Sequence, residues 1–175
     1  MPEDSLPLLN VYEVLNEDGK TRHLLTFLSP DRVETSGIQP RYIVGEVTPT
    51  DFGGFDPLSL QLNPQFIQAL ATYMNEVVGH TPEIATQARS SASEWTYIID
   101  PRNRDEPGVE PPPVDFVGAF AVDESGQIVH GSFVYNQSHT LVDPERGYSG
   151  IFTDRRFYDW LHSTEEPSPD SVDEV

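Results

Sequence analysis

Two segments of the chain carry the same tight-turn signal, and this signal constrains the fold more than any other feature. The first turn spans residues 16–19 (Asn-Glu-Asp-Gly) and the second spans residues 123–126 (Asp-Glu-Ser-Gly). Asn or Asp at the first position and Gly at the fourth favour a type I turn followed by a glycine bulge. Apolar residues flank both turns. The pattern therefore predicts two antiparallel β-hairpins, over residues 10–28 and 115–136.

The turn type also predicts which residues face each other, because the glycine bulge sets the register of the two strands. The predicted pairs are Leu15 with Thr21, Glu13 with His23 and Val11 with Leu25 in the first hairpin, and Val122 with Ile128, Phe120 with His130 and Val117 with Phe133 in the second. Gly118 and Gly131 interrupt the apolar residues of the second hairpin. We expect these glycines to mark a bend or a position that another group approaches closely.

Further elements follow from local patterns of apolar residues. Residues 41–47 and 94–100 are rich in β-branched and aromatic side chains, which favours strands. Residues 64–78 carry apolar side chains at helical spacing. Asn63 is a suitable N-cap for this helix, and Gly79 is a suitable residue to end it.

Two shorter helices are predicted over residues 82–91 and 154–162. Hairpins segregated from helices are typical of α+β proteins. We therefore predict one α+β domain over residues 1–162, with a mostly antiparallel sheet of about six strands and helices packed on one face.

The proline-rich residues 100–113 are predicted to be a linker or a semi-rigid arm. Residues 163–175 hold five carboxylates and no cation, so we expect a disordered acidic tail.

The chain is strongly acidic, and its charge limits the partners that it can bind. It has 29 Asp and Glu residues against 10 Lys and Arg residues, which gives a net charge of −19. This excess of carboxylates opposes binding to nucleic acids and to anionic membranes, and it favours basic protein partners. The same charge also fits a protein adapted to high salt, in which case it says little about partners.

Several classes of protein are disfavoured by what the sequence lacks. There is no cysteine, which excludes disulfides, thiolate metal sites and a cysteine nucleophile. The five histidines show no metal-binding spacing, so no metal and no cofactor is predicted. No apolar run approaches the roughly 20 residues of a membrane helix. The first nine residues lack the basic start of a secretory signal, and we expect a cytoplasmic protein.

One predicted loop is the first candidate for a binding site. Residues 48–60 contain two aromatic residues around two glycines, Phe52 and Phe55, flanked by Asp51 and Asp56. Such a loop either seals a sheet edge or offers an adaptable contact surface. We predict binding at these four residues. On this basis the chain is interpreted as a non-enzymatic acidic module, of the inhibitor, immunity or adaptor type, that engages a basic protein partner.

A small hydrolase-like enzyme is the alternative interpretation. His130 and His139 lie near each other in the sequence, and together with Asp143 they could form an acid–base or metal site. His130 opposite Phe120 fits a packed strand histidine equally well. Ser149 lies among glycines but lacks the Gly-x-Ser-x-Gly pattern of a nucleophile elbow, so we interpret it as a turn residue. No catalytic residue is therefore assigned from the sequence.

Overall fold

The computed structural model describes residues 9–51, 54–91, 94–103 and 109–163, and within these ranges the chain forms nine strands and four α-helices. The strands are Asn10–Leu15 (β1), Thr21–Thr26 (β2), Ile43–Pro49 (β3), Phe55–Leu62 (β4), Trp95–Ile99 (β5), Phe116–Ala121 (β6), Val134–Tyr135 (β7), Val142–Asp143 (β8) and Gly147–Tyr148 (β9). The helices are Pro30–Ser36 (α1), Pro64–Glu76 (α2), Pro82–Ser90 (α3) and Arg155–Ser163 (α4).

The strands form three antiparallel sheets. The first has the order β1-β2-β3-β4, the second has the order β5-β6-β7, and β8 pairs with β9. Helix α2 contacts both β3 and β7, and it also packs against α4. The predicted α+β class, with helices packed against antiparallel sheets in a single domain, is therefore confirmed. Strand β4, which occupies part of the predicted loop 48–60, adds a fourth strand to the first sheet.

The first hairpin has the predicted turn and register. Gly19 has a φ of 73°, and the Asn16 side chain accepts a hydrogen bond from the Lys20 N–H at 2.7 Å. Across the two strands, Leu15 pairs with Thr21, Glu13 with His23 and Val11 with Leu25. The turn residues alone were sufficient to set this register because no irregularity interrupts the two strands.

The second hairpin keeps its turn but not its predicted register. Gly126 has a φ of 77° and Val122 pairs with Ile128, as expected. A second turn follows at Gly131, which has a φ of 74°, and it adds residues to the returning strand. Beyond it Ala119 pairs with Val134 and Gly118 with Tyr135. The predicted pairs Phe120 with His130 and Val117 with Phe133 are therefore wrong.

The predicted helices are present, with small changes at their ends. The Asn63 side chain caps α2 by accepting a hydrogen bond from the Gln65 N–H at 3.1 Å. The predicted cap at Gly79 is wrong, because α2 ends at Glu76 and a 3-10 turn follows over Val78–His80. Helix α1 was not predicted, and none of its residues is buried, so no apolar periodicity marks it.

The core is rich in aromatic side chains. The largest fully buried residues are Tyr42, Tyr73, Phe66, Phe120 and Phe157. The Phe27 ring lies 5.7, 5.1 and 6.0 Å from the rings of Phe66, Phe152 and Phe157. Such aromatic clusters bury large apolar areas, which offsets the modest hydrophobic fraction of the chain.

The sequence also makes predictions about an acidic tail and about membrane-spanning helices. The predicted tail, residues 163–175, lies outside the described residues except for Ser163, which ends α4. None of the helices in the described part of the chain is long and apolar enough to span a membrane.

The close approach predicted for Gly118 gives a test of the second sheet. A Cβ added here would overlap the carbonyl oxygen of Val134 and lie 2.5 Å from the Phe133 ring. We expect Gly118→Ala to lower the free energy of unfolding by about 1–3 kcal/mol, because neither neighbour can move without disturbing β7 or the core. Urea denaturation measures the change. Gly54→Ala is the control, since its Cβ would approach only the Thr50 hydroxyl, at 3.4 Å.

Candidate functional site

The outer face of the second sheet carries an exposed apolar groove. On β5, Trp95 is 38% exposed and Tyr97 is 49% exposed, while Val134 on β7 is 58% exposed. Between them the middle strand β6 presents alanines, with Ala121 opposite Trp95 and Ala119 opposite both Tyr97 and Val134. At the start of β6, the Phe116 ring lies 5.6 Å from the Tyr97 ring and also lines the groove. Large residues on the outer strands and alanines on the middle strand leave a groove of about 610 Å³.

Carboxylates border this groove, which we call the β5–β7 groove. Exposed Glu110, from the segment before β6, helps to line it together with Pro113. At the Trp95 end it adjoins a second depression of about 730 Å³, which shares Trp95 as a lining residue. The charged residues that line the second depression are Glu94, Asp123, Glu124 and Arg89. The apolar surface therefore lies within a predominantly negative border.

The local sequence explains why the aromatic rings of β5 face outward. Side chains alternate between the two faces of a strand, and Thr96, between Trp95 and Tyr97, is buried. Helix α3 lies along the open edge of β5. There Gln87 donates a hydrogen bond to the carbonyl of Tyr97 at 2.9 Å, and the Ser91 hydroxyl lies 3.4 Å from the carbonyl of Trp95. The helix covers the edge of the strand and leaves its outer face open.

A second feature is a group of buried charged and polar side chains centred on Asp100, at the end of β5. The Asp100 carboxylate is fully buried and accepts four hydrogen bonds. Its Oδ2 atom accepts from the Ser149 hydroxyl at 2.5 Å and from His139 Nε2 at 2.7 Å. Its Oδ1 atom accepts from the backbone N–H groups of Arg102 at 2.9 Å and Gly150 at 2.8 Å.

Two arginines and a second buried aspartate extend this group, which we call the Asp100 network. The Arg102 guanidinium lies 3.4 Å from Asp100 and 3.6 Å from Asp115. Arg102 also donates hydrogen bonds to the carbonyls of Thr140 and Gly147. Arg146 completes the group by donating a hydrogen bond to the Asp115 carboxylate at 2.6 Å. The network thus joins the end of β5, the segment before β6 and the β8–β9 hairpin.

The pKa of Asp100 reflects these contacts. Burial alone would raise the pKa of this carboxyl, but the hydrogen bonds from His139, Ser149 and two backbone N–H groups outweigh it and hold the pKa below its usual range. An ionised Asp100 requires that His139 Nε2 donates. In the neutral imidazole, Nδ1 then accepts from the Tyr135 hydroxyl, 3.3 Å away. Burial, together with the charge of Asp100, raises the pKa of Tyr135.

The Asp100 network contains serine, histidine and aspartate, but their order differs from that of a nucleophilic triad. In a triad the imidazole lies between the hydroxyl and the carboxylate, and it removes the hydroxyl proton. Here Asp100 lies between Ser149 and His139, and both donate to the same oxygen. Ser149 is fully buried. We therefore interpret the network as a structural connection between elements.

The network makes stability depend on pH in a definite direction. The folded-state pKa of Asp100 lies below the value of 3.8 that applies to an unperturbed aspartate. The unfolded chain therefore binds a proton first as the pH falls. We expect the stabilisation from Asp100 to be complete above about pH 5 and to decrease as the pH falls below 4. Urea denaturation at pH 7, 4 and 3 tests this, and a free energy of unfolding that rises toward pH 3 would contradict it.

The structure describes three of the four residues predicted to bind. Asp51 is exposed, and Phe52 lies outside the described residues. Phe55 begins β4, is half-buried and packs against the core cluster. Asp56 is exposed, and its carboxylate accepts a hydrogen bond from the Leu58 N–H of the same strand at 3.0 Å.

The three residues of the enzyme interpretation have different surroundings. His139 belongs to the Asp100 network. His130 is exposed, and its ring lies 5.4 Å from the His80 ring. Asp143 pairs with Arg146 at 3.2 Å. A search of the described ranges finds no group of three or more histidine or acidic side chains arranged to hold a metal ion.

Comparisons with known proteins complete the description of the site. The chain matches no protein-family model, no curated protein and no solved structure. Its function must therefore be inferred from the geometry of its own surface.

Proposed function

We propose that the protein is a non-enzymatic acidic module that binds a basic protein partner, and that the β5–β7 groove is its contact surface. The observation that carries this proposal is the placement of exposed Trp95 and Tyr97 on a concave apolar face with a carboxylate border. Trp and Tyr are the residues that most often contribute strongly to binding at protein interfaces. Negative charge around such residues accelerates encounter with a basic partner and selects against acidic ones.

The segment around Asp51 and Asp56, which the sequence predicts to bind a partner, offers a second surface for the same function. Asp51 and Asp56 are exposed at its two sides, which suits contact with a basic partner. Phe55 is half-buried against the core, so its removal would affect folding as well as binding. Among the described residues, Trp95 and Tyr97 of the groove are more exposed to solvent than Phe55, and for this reason we place the main contact in the groove.

A selection from a random twelve-residue peptide library, with the full chain as bait, tests the function without a known partner. We expect the selected peptides to be basic. Their affinity should fall on the order of tenfold when NaCl is raised from 0.05 to 0.5 M, because the attraction between exposed charges is screened. Recovery of neutral or acidic peptides, or binding that is indifferent to salt, would contradict the proposal. Adaptation to high salt would instead raise the unfolding midpoint up to molar KCl, without selective binding.

A further inference from the structure

The β5–β7 groove also indicates what form its ligand takes, and this inference rests on the proposed function. The groove is bounded by β5 on one side and β7 on the other, with β6 as its floor. Neighbouring strands lie about 4.8 Å apart, so the two bounding strands are separated by about 9.6 Å between backbones. An α-helix with its side chains measures about 10–12 Å across. The side chains of Tyr97 and Val134 narrow the space further, which favours a single extended segment.

The edge of the sheet at β5 limits how a peptide can bind in the groove. An extended peptide can bind by adding a strand, but this requires an open edge with available backbone groups. At β5 the carbonyls of Trp95 and Tyr97 face Ser91 and Gln87 of α3. A ligand in the groove must therefore be recognised through its side chains rather than by pairing with β5.

The chemistry changes along the groove, and Trp95 lies at the boundary. On one side of Trp95 the groove is mainly apolar, with Ala119, Tyr97 and Val134 in its lining and, among the described residues, Glu110 as its one charged lining residue. On the other side lies the depression in which the exposed carboxylates of Glu94 and Glu124, together with Asp123, outnumber the single cation in its described lining, Arg89. Trp is the best aromatic partner for a cation, and a guanidinium can stack on a ring while it donates hydrogen bonds to carboxylates. The combination of an aromatic ring and neighbouring carboxylates favours a ligand arginine over a lysine beside Trp95.

We propose that the groove binds an extended segment in which an arginine lies next to a short apolar run. The arginine stacks on the Trp95 ring and pairs with Glu94 and Glu124. The apolar side chains lie over Ala119, between Tyr97 and Val134. The β6 residues that line the groove run from Phe116 to Ala119, so an apolar run of about three extended residues, about 10 Å long, covers them.

Three baits in the same peptide selection test this arrangement. With the wild type we expect selected peptides to carry arginine beside two or three apolar residues. The double variant Glu94→Gln with Glu124→Gln should lose the preference for arginine and keep the apolar run. Tyr97→Ala should lose the apolar run and keep the preference for arginine. Identical peptide patterns from all three baits would overturn the proposal.

The outcomes separate this inference from the proposed function. Basic peptides without the arginine–apolar pattern, or with a pattern unaffected by the groove variants, would overturn the inference and leave the proposed function standing. Selection of peptides that are not basic would overturn both. In a synthetic peptide with the selected sequence, replacing the arginine by neutral citrulline should weaken binding at least about fivefold. An unchanged affinity would also overturn the inference.

A second copy of the chain is the competing occupant, and it is tested separately. Two copies would bring like charges together at the carboxylate border, which opposes their association. Sedimentation of the wild type over a range of concentrations should therefore show a monomer. A dimer that Trp95→Ala dissociates would place a second copy in the groove and overturn the proposal.

Discussion

Asp100→Asn is expected to lower the free energy of unfolding at pH 7 by about 3 kcal/mol or more. The carboxylate is fully buried and accepts four hydrogen bonds, two of them from His139 and Ser149. The amide of asparagine has one acceptor oxygen, and its NH₂ group would face donors. Arg102 would also lose one of its two buried anionic neighbours. Removing one partner of a buried charged pair leaves the other uncompensated, which is the source of the large cost.

The same substitution on an exposed pair provides the matched control. Asp159 lies 3.8 Å from Arg155, and both side chains are about two-thirds exposed. Asp159→Asn should change stability by well under 1 kcal/mol, because solvent screens such pairs. Urea denaturation of both variants, with circular dichroism to check the fold, makes the comparison. Equal and small losses in the two variants would show that the Asp100 network does not hold the elements together.

Trp95→Ala is expected to weaken binding of the selected basic peptides about 30-fold, which corresponds to about 2 kcal/mol. Trp95 borders both the apolar groove and the acidic depression, so its removal affects contacts on both sides. Trp95 is 38% exposed, so the rest of the residue packs on the protein, and the stability of the variant is measured by urea denaturation before its affinity is compared. Fluorescence anisotropy with a labelled peptide from the selection measures the affinity.

Tyr148→Ala is the matched control for this experiment. Tyr148 is an aromatic residue of β9 with 47% exposure, close to that of Tyr97, and it lies in a different sheet. This substitution should leave peptide affinity unchanged within a factor of about two. If Tyr148→Ala weakened binding as much as Trp95→Ala, the contact surface would not be the β5–β7 groove. If only Phe55→Ala weakened binding, the contact would lie at the loop that contains Asp51 and Asp56.

The parts of the fold that the sequence predicted are those controlled by local chemistry. The turn at residues 16–19 and the cap at Asn63 depend on neighbouring residues, so their consequences could be derived directly. The second hairpin shows the limit of this approach. Its first turn is local and was predicted. At Gly131 the sequence indicated only a bend or a close approach, and it did not show that a turn there would change the register of β7. Strand β4 was missed because Pro57 and the flanking glycines are typical of a loop.

The candidate site was missed for a different reason. Trp95 and Tyr97 were recognised as strand residues, but which face of the strand reaches solvent depends on the packing of α3 and on the pairing with β6. The Asp100 network was also hidden, because its members come from segments up to 50 residues apart in the chain. Asp100 and Arg102 lie in residues 100–113, which the sequence predicted to be a linker or a semi-rigid arm. A charged residue directly after the apolar end of a strand, Ile98 and Ile99, is the signal that could have indicated them.

The most direct test of the account is the fluorescence of Trp95 during peptide binding. The chain has two tryptophans, Trp95 and Trp160, so Trp160→Phe leaves Trp95 as the only reporter. Titration of this variant with the selected basic peptide should change the intensity or wavelength of Trp95 emission. The change should saturate at the affinity found by anisotropy, and higher salt should shift it to higher peptide concentration. Binding by anisotropy with unchanged Trp95 emission would contradict the assignment of the groove as the binding surface.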